Sequence, residues 1–245
     1  MSNNLLFSII EQVDSTNNYA MNLVHNGSVK HGMAIFTNHQ TAGKGQRGKI
    51  WESKSGVNIL QSLIIQPPQV FHSKPFLFNA LIATNVASFL ENIVKEPVQL
   101  KWPNDLYIRD RKAGGILIEN NYRGNHWNWS IIGMGINVNQ LFDNTLERKP
   151  ISLQEITGKT YPIIDLAKDL HAKIIDNLNN VSLEEILTTY NKRLYKFKQA
   201  VVLKYQNENI HTTINGVDEN GQLLTTDKVF NFGEVEWLLD ANSTK

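Results

Sequence analysis

The sequence predicts an α/β protein, of the α+β kind, in which a mixed, largely antiparallel sheet with packed helices precedes a small β module. Residues 98–133 contain short extended segments joined by turns, a pattern typical of an antiparallel β-meander. Residues 76–94 carry apolar side chains at close to the helical period, which predicts a helix that faces the core. From about residue 199 the chain consists of short strand-like segments, which favours a small β-barrel.

Size and composition limit the classes of protein that the sequence can encode. A chain of 245 residues with 41% apolar and 19% charged residues suits one large domain, or one domain with a small appendage. The net charge of +1 argues against a DNA-binding protein. The absence of cysteine excludes disulfides, thiolate zinc sites and a cysteine nucleophile. With no signal-peptide pattern and no run of about 18 apolar residues, we expect a cytoplasmic protein without a membrane partner.

The first half of the chain alternates strand and helix signals. Four polar residues, Asp14 to Asn17, follow the first strand and are candidates to cap the next helix, which Gly27 ends. Prolines end the third strand and the long helix. The predicted strands cover residues 5–13, 34–37 and 57–65, and the predicted helices cover residues 18–25 and 76–94.

The second half begins with the meander and ends with the β module. The meander strands are predicted at residues 98–100, 106–108, 115–119 and 127–133, with a charged turn at residues 109–115. Helices are predicted at residues 165–178 and 182–195, and Ser182 and Glu185 form a capping-box pattern. The module strands are predicted at residues 200–205, 210–217, 222–226, 229–232 and 235–239. We therefore predict two domains, residues 1–195 and residues 196–245.

The first candidate for a functional site is a glycine loop at residues 43–51, with three glycines and three basic residues before a final tryptophan. Unshielded backbone N–H groups and positive charge suit a phosphate or a carboxylate. The glycine spacing matches the dinucleotide-binding pattern, but no helix is predicted to begin on it. A P-loop is rejected because Ile50 replaces the required hydroxyl residue. The alternative is a mobile, solvated basic loop.

The second candidate is the turn from Lys101 to Asp105. Pro103 restrains the backbone and Trp102 could shield one side of Lys101, so that the lysine could hold an anion. The alternative is a solvated lysine beside a packing tryptophan. Asn104 and Asp105 could bind ribose or a metal ion, or form an Asx turn. The seven histidines are scattered, so no metal cluster is predicted. The sequence also contains no nucleophile elbow.

The order of these motifs closely resembles that of biotin protein ligase, the enzyme that biotinylates carboxylase carrier domains. The Lys-Trp-Pro-Asn-Asp block is very specific, whereas the glycine loop alone is not. The resemblance covers about residues 10 to 140 by motif and the whole chain by layout. The matching segments are Asp14 to Asn17, Gln40 to Gly48 with Trp51, Lys101 to Asp105, Arg111 to Glu119, and Gly133 to Asn137.

The resemblance implies a catalytic domain followed by an SH3-like barrel, and a reaction in two halves. Biotin and MgATP would give biotinyl-5′-AMP and pyrophosphate. A lysine of a biotin carboxyl carrier domain would then attack the mixed anhydride and release AMP. The implied cofactor is Mg²⁺ with ATP, and no residue is assigned as its ligand.

The resemblance also implies roles for particular residues. Lys101 and Arg47 are the implied catalytic residues. The implied biotin-binding residues are Ser15, Thr16, Asn17, Gln40, Lys44, Gly45, Gln46, Lys101, Gly114, Gly115 and Gly133. The implied nucleotide-binding residues are Gly43, Arg47, Gly48, Trp51, Asn104, Lys112 and Asn137.

Two loop positions depart from the commonest family pattern, because Lys44 and Gln46 stand where arginine is frequent. Neither can make the planar, bidentate contacts of arginine, so the sequence leaves open how tightly the adenylate is held. Some family members carry an N-terminal helix-turn-helix domain; because the signature begins by Asp14 here, we expect no such domain. Two other functions stay open: a lipoate or octanoate ligase of the same fold, and a biotin-sensing regulator without turnover.

Overall fold

The large sheet forms the frame of the protein in a computed structural model, which describes residues 6–143, 150–178 and 182–238. Seven strands lie in the order β1-β2-β3-β7-β6-β5-β4. Only β1 and β2 pair in parallel within this sheet, and the other neighbouring pairs are antiparallel. The strands are β1 (Phe7–Val13), β2 (Met33–Gln40), β3 (Ile59–Ile65), β4 (Gln99–Lys101), β5 (Asp105–Ile108), β6 (Arg111–Arg123) and β7 (His126–Ile136). The predicted mixed, largely antiparallel sheet is confirmed.

Helices cover both faces of this sheet. The small cluster around Ala20 and Ile131 joins α1 to one face, and the large core joins α2 and α4 to the other. Helix α2 is long and apolar enough to cross a membrane, but 67% of the relevant window is buried inside the fold, as in a core helix. The helices are α1 (Thr16–His25), α2 (Pro75–Val94), α3 (Leu153–Thr157), α4 (Ile163–Asn177) and α5 (Leu183–Lys192), with short 3-10 turns at Gln46–Gly48 and Gln69–Phe71.

The C-terminal β module is a five-stranded antiparallel sheet in the order β11-β10-β9-β8-β12. The Asn191 side chain fixes it to α5, because this amide donates to Val217 O and accepts from Val217 N at 2.9 and 2.7 Å. Trp102 Nε1 also donates to Gly221 O at 2.9 Å. The strands are β8 (Ala200–Tyr205), β9 (Glu208–Val217), β10 (Leu223–Thr225), β11 (Val229–Phe230) and β12 (Val235–Leu238). The module is therefore attached beside the turn that contains Lys101.

The predicted charged turn at residues 109–115 is too long. The chain reverses at Arg109 and Asp110, both in the left-handed region with φ of 52° and 58°, and Arg111 already begins β6. Arg109 pairs with Glu96, and Asp110 pairs with Lys196 at 3.1 Å. These partners from distant parts of the chain hold the tight turn, and glycines 114 and 115 remain inside the strand.

The predicted capping box at Ser182 is wrong, because Ser182 makes no side-chain cap hydrogen bond at the start of α5. A capping box instead begins α3, a helix that was not predicted. The Ser152 hydroxyl accepts from Glu155 N, and the Glu155 carboxylate accepts from Ser152 N, both at 3.2 Å. Helix α3 has five residues, which is too short to show a helical period in the sequence.

His171 is a buried titratable group in α4. Its Nε2 donates to Gly32 O at 2.8 Å, and its Nδ1 is buried without a partner among the described residues. Burial lowers the pKa of His171 below the ordinary value of 6.5. The neutral form is therefore the one that fits the fold, since a proton on Nδ1 would find no acceptor among these residues.

Acid should destabilise the protein partly through His171. When the pKa of a histidine is lower in the folded than in the unfolded protein, the group costs no stability at pH values above its unfolded pKa. As the pH falls below the unfolded pKa, the free energy of unfolding decreases by at most about 1.4 kcal/mol per pH unit for each proton. Urea unfolding from about pH 8 to pH 5 should show a smaller loss for His171→Gln, which keeps a donor but does not titrate. The exposed His25→Gln is the control and should behave as wild type; parallel curves for all three proteins would contradict the assignment.

Candidate active site

A cavity of about 550 Å³ lies between the large sheet, the glycine loop and the C-terminal sheet. Most of the predicted site residues meet there although they come from separate parts of the chain. The predicted residues that line it are Ser15, Thr16, Asn17, Gln40, Lys44, Gly45, Gln46, Arg47, Trp51, Lys101, Asn104, Lys112, Gly115 and Gly133. The cavity has two chemically different regions, which we call the polar end and the cationic end.

The polar end is built from neutral side chains at the start of α1 and on β2 and β3. Gln40 Oε1 accepts from Thr16 N at 2.8 Å, and Asn17 Nδ2 donates to a Glu119 carboxylate oxygen at 2.7 Å. Ser62 Oγ lies 2.7 Å from Thr16 Oγ1 and 2.6 Å from Asn17 Oδ1. A hydroxyl carries one proton, so Ser62 donates to one of these oxygens at a time. The network fixes the positions of these donors and acceptors. The side chains of Thr16, Asn17, Gln40 and Ser62 carry no formal charge.

Ser62 was missed by the sequence analysis. It is fully buried within β3, where its neighbours on both sides are apolar or buried. A polar residue inside a buried strand is a weak signal by itself, since it only requires a partner. Its partners Thr16 and Asn17 are about 45 positions away in sequence and become neighbours only when α1 packs on β3.

The floor of the cavity is made by Gly115, Gly133 and Gly135, which we call the glycine floor. A Cβ at Gly133 would lie 2.3 Å from Asn17 Oδ1, and a Cβ at Gly135 would lie 2.4 Å from Trp51 Cε2. At Gly115 the nearest atom, of Trp51, would be 3.4 Å away. In this structure the glycines therefore admit protein side chains, Asn17 and Trp51, close to the sheet. Gly135 was part of the motif but was not predicted as a site residue.

The glycine loop covers the cavity as a closed turn. Trp51 N donates to Gly43 O at 2.9 Å, and Gly45 N donates to Lys49 O at 2.7 Å, so the two arms of the loop are tied together. Arg47 lies at the tip in the left-handed region, with φ of 56°. No α-helix begins on the loop, because the short 3-10 turn leads to extended chain and then β3. This confirms that the glycines do not form a dinucleotide-binding turn.

The cationic end contains Lys101 and Lys112. Lys101 Nζ lies 5.1 Å from the ring centre of Tyr107 and 5.7 Å from that of Trp237. Lys112 Nζ pairs with Asp105 at 2.6 Å and lies 5.4 Å from the Trp51 ring. Both ammonium groups thus lie beside aromatic rings at the edge of the cavity, and that of Lys112 is also held by its ion pair with Asp105.

The expected shielding of Lys101 by Trp102 is replaced by a different arrangement. Trp102 is buried, donates to Gly221 O and packs edge-on against Phe232 at 6.2 Å. Tyr107 and Trp237 provide the rings that lie near the ammonium group. Strand β12 and the turn that precedes it contribute further lining residues that the sequence analysis did not identify, namely Phe232, Gly233, Val235, Glu236 and Trp237.

Four predicted site residues lie outside this cavity. Gly114 faces the core, where a Cβ would lie 3.1 Å from Leu106 Cδ1. Gly43 and Gly48 line a second cavity of about 480 Å³ beside the loop. Asn137 is buried and donates to Lys112 O and Ile151 O at 3.2 and 3.3 Å, which supports the wall from behind.

Comparison with known proteins identifies relatives of this arrangement. Residues 9–137 match the Biotin/lipoate A/B protein ligase family. The Bifunctional ligase/repressor BirA of Escherichia coli is 29% identical over 223 residues, covering 89% of this chain and 68% of that protein. The Biotin–[acetyl-CoA-carboxylase] ligase of Paracoccus denitrificans is 25% identical over 225 residues, covering 88% and 92%. The biotin protein ligase of Aquifex aeolicus, solved in complex with biotin and ATP, superposes with a TM-score of 0.74 at 25% identity, covering 96% of each chain.

Gly135→Ala should open the glycine loop by displacing Trp51 from the floor. The added methyl group would overlap the indole, so Trp51 must move and the loop loses a contact that holds it closed. We expect trypsin to cut the variant after Lys44, Arg47 or Lys49 at least about threefold faster than wild type. The measurement is the rate of cleavage followed by mass spectrometry.

Trp51→Ala provides the matched control for this prediction. It removes the same contact from the other side, so its cleavage should be equally fast and the double variant should be no faster than either single variant. Cleavage of Gly135→Ala at the wild-type rate would show that the floor does not hold the loop.

Proposed function

The chain belongs to the Biotin/lipoate A/B protein ligase family, and we propose that it is a biotin–[acetyl-CoA-carboxylase] ligase. It activates biotin with ATP to biotinyl-5′-AMP, releasing pyrophosphate. It then transfers biotin to a specific lysine of a biotin carboxyl carrier domain and releases AMP. We expect this reaction in the cytoplasm, without DNA or a membrane as partner.

The observation that carries the proposal is the joining of a neutral polar end and a cationic end within one covered cavity. The first half-reaction brings a carboxylate against a phosphate, and these anions repel each other unless cations lie beside them. Lys101 and Arg47 line the cavity and are the proposed catalytic residues. The mixed anhydride reacts with water, so a loop that covers the cavity would protect this intermediate from hydrolysis.

The polar end favours biotin over lipoate. The ureido ring of biotin offers two N–H donors and a carbonyl acceptor, and Thr16, Asn17 and Gln40 present groups that can match them. A dithiolane ring or a plain acyl chain has no N–H donor and no carbonyl in its place, so it would gain no hydrogen bonds from these groups. We therefore place the biotin rings against the glycine floor near Gly133, and the carboxylate toward Lys101.

The nucleotide is proposed to lie under the glycine loop, near Trp51, Asn104 and Lys112. Mg²⁺ enters as the ATP complex, in which phosphate oxygens supply much of its coordination. Among residues 6–143, 150–178 and 182–238, no group of three or more His, Cys, Asp or Glu side chains stands together as a metal site. Asp105 and Glu236 are the cavity carboxylates that could reach the ion or its water.

The decisive experiment is mass spectrometry of the protein incubated with biotin and MgATP, followed by addition of a carrier domain. Retained biotinyl-AMP and a biotinylated carrier lysine are expected. The same assay with lipoate or octanoate separates the related ligases. Biotin binding without pyrophosphate release would instead indicate a regulator without turnover.

Lys101→Ala should fold normally and lose about 2–4 kcal/mol of transition-state stabilisation in adenylation, the scale of one preorganised electrostatic group. The rate of biotin-dependent exchange of pyrophosphate into ATP measures this loss. Lys54→Ala removes the same charge from an exposed residue outside the cavity lining and should retain wild-type rates. Adenylation by Lys101→Ala within about threefold of wild type would contradict the role.

Gln46→Arg should make the enzyme hold the adenylate longer. Gln46 lines the cavity, and arginine there could pair with the phosphate of biotinyl-AMP through two parallel N–H donors. We expect the dissociation rate of biotinyl-AMP to fall about fivefold or more. Gel filtration after a single round of adenylation measures the retained fraction, and Gln46→Glu should retain less than wild type.

A further inference from the structure

We propose that Tyr107 and Trp237, which we call the aromatic clasp, position the Lys101 ammonium group for the reaction. This inference rests on the proposed function, because Lys101 is its proposed catalytic residue. Lys101 Nζ lies 5.1 and 5.7 Å from the two ring centres, within the distance of about 6 Å at which a ring face attracts a cation. The C-terminal sheet thereby supplies a working part of the active site through Trp237.

Tyr107 reaches Lys101 through the register of β4 and β5. Lys101 lies opposite Asp105, and Gln99 lies opposite Tyr107, so Lys101 and Tyr107 are diagonal neighbours on one face of the sheet. Such neighbours are within reach of long and aromatic side chains. The strand pairing therefore fixes one half of the clasp.

Trp237 reaches the same ammonium group from the C-terminal sheet. It lies on β12 opposite Leu203, and it is only 6% exposed. Its ring packs on Tyr195 at 5.9 Å, and Tyr195 packs on Tyr107 at 4.9 Å. The rings of Tyr107, Tyr195 and Trp237 therefore pack in a continuous row. Neither Tyr107 nor Trp237 can rotate away from Lys101 without displacing the Tyr195 ring between them.

Aromatic rings suit this task because they attract a cation without carrying a net charge. A clasp of rings orients the ammonium group without placing a further negative charge beside it, where the carboxylate and phosphate of the ligands would bind. A free lysine samples many rotamers, and restricting them in advance lowers the ordering required in the transition state. Tyr107 and Trp237 are thus positioning residues that act through Lys101.

The kinetic test uses Trp237→Leu, Trp237→Phe and the control Phe230→Leu. Phe230 is a buried aromatic residue of the same sheet that lies outside the cavity lining. Trp237→Leu should lower kcat for adenylation at least about tenfold, with KM for biotin changed less than about threefold. Trp237→Phe keeps a ring face and should stay within about threefold of wild type, as should Phe230→Leu. Circular dichroism confirms that each variant is folded.

A second background separates positioning from direct contact with the ligand. In Lys101→Met the clasp has no ammonium group to hold, so adding Trp237→Leu should change the remaining adenylation rate less than about twofold. If Trp237 contacted the ligand directly, its loss would remain as large in this background. Equal effects of Trp237→Leu in both backgrounds would overturn the proposal, as would a wild-type kcat for Trp237→Leu in the otherwise unchanged enzyme.

A measurement without ligands keeps the proposal apart from the proposed function. The rings should shift the Lys101 ε-methylene NMR signals upfield, and Lys101→Met identifies these signals by their loss. Trp237→Leu should return them toward the values of exposed lysines, whereas Phe230→Leu should leave them unchanged. Unshifted signals in the wild-type protein would overturn the clasp even if the enzyme is active. Shifted signals without biotin-dependent exchange would support the clasp and contradict the proposed function.

Discussion

The pairing of Gly115 with Gly135 across β6 and β7 is the constraint on which the candidate site depends. Gly133, two positions along β7, lies opposite Leu117 on one side and Ser62 on the other. The result is a strip of sheet from which side chains are missing, where other groups can approach the backbone closely. The Asn17 side chain of α1 and the Trp51 side chain of the glycine loop pack against this strip. Substitution of either Gly133 or Gly135 would push one of these groups away.

The strip also explains how one cavity can have two kinds of wall. Toward β3, the strip meets Ser62 and the start of α1, where neutral donors and acceptors satisfy one another. Toward β5, it meets the Lys112 and Asp105 pair and, beyond it, Lys101. A neutral end can hold an uncharged ring system, and a cationic end can gather carboxylate and phosphate groups.

The C-terminal sheet has both a structural and a functional relation to this site. Its anchor at Trp102 lies immediately after Lys101, so the module is attached at the turn whose lysine is proposed to act. Gly233 also lies against the loop, where a Cβ would be 3.4 Å from Arg47 Cζ. A movement of the module would therefore displace Lys101 and Arg47, the two proposed catalytic residues.

The sequence alone predicted the mixed sheet, the core helix α2, the family and half of the residues that line the cavity. Periodicity and turn residues are local signals, and the Lys-Trp-Pro-Asn-Asp block is specific without a structure. Tertiary structure alone decided that Ser62 joins the polar end and that Gly135 seats Trp51. It likewise decided that Trp237, rather than Trp102, lies near the ammonium group of Lys101. Each of these contacts joins distant residues, and the docking of α1, of the loop and of the C-terminal sheet creates them. A buried serine, a strand glycine and a strand tryptophan have no distinctive local pattern, because packing alone selects their partners.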